Sequence, residues 1–274
     1  MKKSFWDALL YVVVFVLAQL LVSYAVFFIW KMAEGQEAAT ILKDISQGTM
    51  PLTAPMLIVT QAVSSLILLI IFFLMRWCRV SRAYLKSKPI GVLFWAAIAA
   101  LGTIIPSELF QEYIKLPDNN TDLLVSMMQN RWGYLAICIF APLVEELIFR
   151  GAVLKALLEG MHNHWAAIVL SAALFALVHF NPVQMPHAFC LGLLLGWMYY
   201  RTGSVIPGIA VHWVNNTVAY VVTNLFPQSI DTGLSEMWGG DMVRVMLAVV
   251  FSLCIFIPAV VQLHLRMRRV GQTT

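Results

Sequence analysis

The chain has 274 residues, 61% of them hydrophobic and 12% charged, with a formal net charge of +4. Soluble globular domains carry about 25% charged residues, so an ordinary soluble protein is excluded and an all-α, polytopic membrane protein is expected. The small basic excess lies in short segments between apolar runs, where it sets topology, and gives no sign of nucleic-acid binding. The four cysteines, Cys78, Cys138, Cys190 and Cys254, are scattered without a C-x-x-C pair. Neither a disulfide framework nor a cysteine zinc site is indicated.

Eight apolar runs approach the ~20 residues that cross a bilayer as a helix. The first covers 6–30; it is too long for a signal-peptide core and reads as a retained span. A loop with Glu34, Glu37 and Asp44 leads through Pro51 and Pro55 to the second, 56–76. A basic segment with Arg76, Arg79, Arg82, Lys86 and Lys88 precedes the third, 90–110. Residues 111–131 are mixed, with a turn signal at Pro117-Asp118-Asn119-Asn120. The remaining spans are expected at 132–160, 165–180, 186–200, 204–226 and 242–264, with Asp231, Glu236 and Asp241 in the last loop. With eight spans, Lys2/Lys3, the 76–88 cluster, Arg150/Lys155, Arg201 and Arg266/Arg268/Arg269 fall on one side. By the positive-inside rule both termini are then cytoplasmic. No internal repeat or soluble domain is visible. One membrane domain, 1–274, is expected, with its chemistry concentrated in 132–226.

That chemistry begins at Ala141-Pro142-Leu143-Val144-Glu145-Glu146-Leu147-Ile148-Phe149-Arg150. A charged side chain at the centre of a membrane helix costs about 2.5–3.5 kcal/mol on insertion scales. Three of them within six residues need partners, water or a purpose. On a helix Glu146 and Arg150 share a face in the favourable acid-first order, while Glu145 points about 100° away. Arg150 can thus neutralise Glu146 and leave Glu145 available. A structural ion pair beside a carboxylate in a wet crevice would show the same residues. Pro142 removes a backbone donor and is expected to kink the helix.

Two later spans carry further polar groups. His179, in Phe175-Ala176-Leu177-Val178-His179, lies about 14 residues from Trp165, or ~21 Å along a helix. Its bland reading is a neutral imidazole bonded to a backbone carbonyl. His212 and Asn216 are four apart and share a face; their bland reading is polar glue between helices. Glu145, about 13 residues from Trp132, falls at a similar depth. Independent structural polar groups have no reason to gather at one level. Together they have the makings of a hydrolytic site: a carboxylate base for water, histidines that hold a metal or donate hydrogen bonds, and an amide for an oxyanion. Gly192-Leu193-Leu194-Leu195-Gly196 permits close helix approach.

Read together, Glu145-Glu146…Arg150, Phe175…His179 and His212…Asn216 resemble the E-E-x-x-x-R, F-x-x-x-H and H-x-x-x-N motifs of the CAAX protease and bacteriocin-processing (CPBP) intramembrane proteases. The run 192–216 also looks like bacterial members. The resemblance covers about 140–220. It implies peptide-bond hydrolysis within the membrane, with Glu145 activating water beside His179. His212 and Asn216 would stabilise the oxyanion, and Glu146 and Arg150 would hold the site. The implied substrate is a membrane-associated peptide or protein, and the implied location is the inner, cytoplasmic membrane.

Metal use stays open at this point. Glu145, His179 and His212 would supply three ligands to one divalent ion such as Zn²⁺ and leave a position for water, or the carboxylate acts without metal. No histidine is followed by Glu, so H-E-x-x-H is absent. Two other classes compete with a protease. One is a secondary transporter with a Glu/His proton relay, although no inverted repeat supports it. The other is a non-catalytic immunity or scaffold protein of the same fold.

Overall fold

The structure is a computed structural model that describes residues 2–78, 82–114, 116–117, 121–227 and 232–269. Arg79, the Asp118-Asn119-Asn120 turn and Asp231 lie outside the described residues. Every described element is helical, as expected for an all-α membrane protein. Helix α1 spans Lys2–Ala33, α2 Ala38–Gln47, α3 Ala54–Leu74, α4 Arg82–Lys86, α5 Ile90–Tyr113 and α6 Thr121–Gln129. A composite rod follows: π1 (Tyr134–Phe140), α7 (Ala141–Ile148), π2 (Phe149–Leu154) and α8 (Lys155–Gly160). Then come α9 (His164–Leu177), α10 (Met185–Thr202), α11 (Ile206–Leu225), the short α12 (Leu234–Met237) and α13 (Met242–Arg266).

Local chemistry sets the ends. Pro55 opens α3 in the first turn, where its missing N–H costs nothing. The Asn163 side chain caps α9 by accepting from the Trp165 and Ala166 N–H groups at 2.9 and 3.3 Å. Asp241 does the same for Val243 and Arg244 at the start of α13. Gly203 closes α10 at φ 66°, a left-handed conformation that glycine adopts freely.

Four described helices, from Ser4, Ala54, Ile90 and Met242 onward, are long and apolar enough to cross a membrane by length and composition. Their outward faces carry exposed apolar side chains such as Leu21, Leu74, Phe94 and Phe251. Helices α1 and α3 pack on the rod through Phe15, Phe72 and Phe149. A second core joins α5, α10, α11 and α13 through Ala96, Ala99, Leu195, Val211 and Ala259. There α5 and α13 cross closely: a Cβ on Gly102 would lie 2.8 Å from the Phe256 backbone. Gly192 and Gly196 serve the same end between α10 and α9, where added Cβ atoms would meet Ala172 at 2.9 Å and Ile168 at 3.0 Å.

Two expectations need correction. Helix α9 has 14 residues and ends at Leu177, so His179 lies in the turn beyond it rather than inside a span reaching 180. Fourteen residues rise only ~21 Å, short of a ~30 Å hydrocarbon core. Arg150 is 1% exposed and ion-paired, so it is no loop cation and does not count toward the positive-inside pattern.

The eight-span topology expected from the sequence makes a direct prediction. In a background with Cys190 and Cys254 replaced by serine, Lys86→Cys and Glu236→Cys should react with an impermeant thiol reagent from opposite sides of the membrane. Labelling from the same side would overturn it.

Candidate active site

The rod presents the carboxylates. Ahead of Pro142 the backbone has slipped into a π register, with the Ala141 N–H bonding the Ala136 carbonyl. In that register the Ile137 carbonyl falls to residue 142, and proline has no N–H to give. The Asn216 side chain fills the place, its Nδ2 donating to the Ile137 oxygen at 2.9 Å. The kink expected at Pro142 is therefore a π turn, a distortion often found at functional sites, and its orphaned carbonyl ties α11 to the rod. Tyr134 adds to that tie by accepting from Trp213 Nε1 at 3.1 Å.

Glu146 and Arg150 meet as the spacing required. Arg150 Nη1 donates to Glu146 Oε1 at 2.7 Å, with side-chain exposures of 1% and 0%. Arg150 Nη2 reaches the Gly192 carbonyl at 3.4 Å, and its guanidinium carbon lies 4.3 Å from the centre of the Phe175 ring, a cation–π contact. His212 completes the clamp, its Nδ1 lying 3.1 Å from the same Glu146 Oε1. The other carboxylate oxygen, Oε2, faces Gly208, where a Cβ would come within 2.7 Å. Glycine at 208 is what allows α11 to lie against a fully buried carboxylate.

Glu145 is treated differently. Its side chain keeps 16% exposure, and its nearest charged partner is His212 Nε2 at 3.8 Å, beyond hydrogen-bond reach. His212 thus stands between the two carboxylates, one on each ring nitrogen. The bland reading of His179 is half realised. Its Nδ1 sits 2.8 Å from the Phe175 carbonyl. A carbonyl only accepts, so Nδ1 carries the proton and the lone pair is left on Nε2. Phe175 packs edge-on against both imidazoles, its centroid 4.9 Å from His179 and 5.8 Å from His212.

His187 belongs to the same neighbourhood and has no motif to announce it. It lies within electrostatic reach of His212 and His179 and close to Asn215. Its Nδ1 also bonds Ser107 Oγ on α5, just after Pro106. Asn215 in turn donates to Asn216 Oδ1 at 3.2 Å. The only sequence signals were an isolated histidine one turn into α10 and a proline in α5, 80 residues apart in their partnership.

Among the described residues no three His, Cys, Asp or Glu side chains converge as a metal-binding group. Glu145, His179 and His212 are therefore not gathered as three ligands, and His212 already gives one nitrogen to Glu146. Cys78 packs against the rod, where burial pushes its thiol up to about 11, so it is no thiolate at neutral pH.

The fold and the site together define an all-helical membrane protein with paired carboxylates and histidines buried among its helices. Residues 128–218 match the family described as Rce1-like, type II CAAX prenyl endopeptidase Rce1-like. The match spans all three motifs, agrees with the resemblance read from the sequence and supports a peptidase. No curated protein and no solved structure matches the chain.

The clamp predicts unequal costs. Arg150→Ala strands a fully buried carboxylate, and breaking such a pair by removing one partner costs about 3–5 kcal/mol. Glu145→Ala removes a group without that burden. In detergent the Arg150 variant should melt well below the Glu145 variant; equal melting temperatures would contradict the assignment.

Proposed function

We propose that the protein is an intramembrane endopeptidase that hydrolyses membrane-associated peptides or proteins, with Glu145 as general base on the attacking water. The supporting observation is the unequal treatment of two adjacent carboxylates. Glu146 is fully buried and held by Arg150 and His212, whereas Glu145 keeps an open face and, among the described residues, no hydrogen bond to any charged group.

In this reading Glu145 takes a proton from water as the oxygen attacks the scissile carbonyl. The lone pair on His179 Nε2 accepts the water's second hydrogen and orients it. Asn216 has two amide hydrogens; the Ile137 carbonyl uses one, and the other is available to the developing oxyanion. His212, bonded to Glu146 through Nδ1, presents Nε2 from the Glu145 side, where an N–H would be a preorganised donor of the kind that stabilises such charge. Glu145 then returns its proton to the leaving nitrogen, so protons balance within one turnover. Glu146 and Arg150 touch no reacting atom and serve as positioning residues. Residues 132–226 form the working part of a single membrane domain, set with both termini cytoplasmic in an inner membrane.

In this metal-free reading the side chains alone perform the hydrolysis. Peptidase activity of the purified protein on a membrane-peptide library should survive exhaustive chelation at less than about a tenth of an equivalent of bound metal. Activity lost on chelation and restored by Zn²⁺ would reverse that view, since a catalytic zinc makes the nucleophile itself.

Glu145→Gln should lower turnover by about 10² or more, the range of general acid–base catalysis, with the melting temperature unchanged. Undiminished turnover would favour a transporter or a scaffold instead.

A further inference from the structure

A second built site lies away from the carboxylates, where α5 begins and α13 ends. A cavity of about 510 Å³ opens there, lined in part by Gly91, Val92, Gln262, Arg266 and Arg268. Among the described residues no acidic side chain lines it. The sequence has no Asp or Glu between 82 and 107 or after Asp241. Arg201, whose guanidinium donates to the His264 carbonyl at 2.8 Å, adds charge to the same end of α13. Among the described residues none of Lys86, Lys88, Arg201, Arg266, Arg268 and Arg269 has an acidic partner within ion-pair distance. Unbalanced cations around a cavity raise its affinity for an anion.

The backbone contributes as well. Gly91 and Val92 lie in the first turn of α5, a helix of 24 residues. The Ile90 N–H bonds the Lys88 carbonyl at 2.7 Å and the Leu93 N–H that of Pro89 at 3.0 Å, whereas among the described residues the Gly91 and Val92 N–H groups have no backbone acceptor. Free N–H groups and the positive end of the helix dipole favour a phosphate. Arg266 is preset by a bond from Nε to Gln262 Oε1 at 3.0 Å, which turns its two terminal nitrogens free. Those nitrogens lie close to Gly91, whose added Cβ would sit 3.6 Å from Arg266 Nη1.

The surroundings say which anion. The helix flanks beside the cavity are apolar and exposed: Ile90 at 72%, Leu265 at 62% and Phe94 at 55%. A soluble anion gains nothing from them, whereas a phospholipid lays its chains along such flanks and its headgroup in the basic pocket. We propose that the α5–α13 end is a binding site for an anionic phospholipid, with the headgroup phosphate between Arg266, Arg268 and the first-turn N–H groups of α5.

The test is thermal melting of the full-length protein in neutral detergent, titrated with short-chain phosphatidylglycerol, short-chain phosphatidylcholine or inorganic phosphate. Ligand binding to the folded state raises the melting temperature. Phosphatidylglycerol should raise it by about 3 °C or more, with phosphatidylcholine and phosphate inert at equal concentration. Arg266→Gln/Arg268→Gln should abolish the shift, and Arg244→Gln, at the other end of α13, should keep it. If the double variant does not fold, Arg268→Gln alone, an exposed residue past the helix end, should reduce the shift. Equal responses to the two lipids, a shift of the same size from phosphate, or a shift retained without Arg268 would each overturn the proposal.

Discussion

The structure depends on one buried charge cluster, Glu146 held by Arg150 and His212. An isolated ion in a low-dielectric interior is unfavourable by several kcal/mol even after relaxation, so the cluster is tolerable only if its members satisfy one another. Each neighbour is chosen accordingly. Gly192 exposes a carbonyl to Arg150, Phe175 turns its face to the guanidinium, and Gly208 leaves space for the second carboxylate oxygen. The small residues that look like helix-packing signals thus also make room for charge. Helices α7, α9, α10 and α11 are fixed relative to one another because this cluster draws on all four.

Irregular backbone does the rest. The π turn before Pro142 frees the Ile137 carbonyl for Asn216, which couples α11 to the carboxylate-bearing rod. Helix α9 stops after 14 residues, and the turn that follows holds His179 beside the site, with Phe180 at φ +52°. A bulky residue in that region of backbone space is strained, and strain of this kind is found where a turn must place a functional group. Non-helical backbone at membrane depth is tolerated where protein buries it or water reaches it, and the adjoining Asn181 is buried and bonds Thr121 and the Val183 N–H.

Much of this was legible in the chain. Hydropathy located the four long apolar helices α1, α3, α5 and α13 within a few residues, because an apolar run of about 20 residues has few alternatives to a helix. The i,i+4 rule found the Glu146–Arg150 pair and set Glu145 apart. Spacing could not show that His212 touches both carboxylates, since that contact bridges 66 residues. His187, Ser107 and Asn215 stayed hidden for the same reason: each is unremarkable on its own helix and gains meaning only across helices. Arg150 enters the positive-inside pattern by its charge alone, although the expected span 132–160 already places it within a helix, and its burial against Glu146 removes it from that pattern. Equal depth on separate helices does not imply that donors point at one another, and among the described residues no three His, Cys, Asp or Glu side chains gather as a metal-binding group.

In the proposed mechanism Glu146 and Arg150 stabilise the fold as a mutually neutralising pair, which frees Glu145 for chemistry. A double-mutant cycle of Arg150→Met and Glu146→Gln, read by thermal melting, tests it most directly. Each single change leaves one member of the cluster without its counter-charge, whereas the double change removes both charges. The account predicts that the double variant melts well above at least the Arg150→Met single variant and retains the folded state. Strictly additive losses, with the double variant the least stable of all, would contradict it.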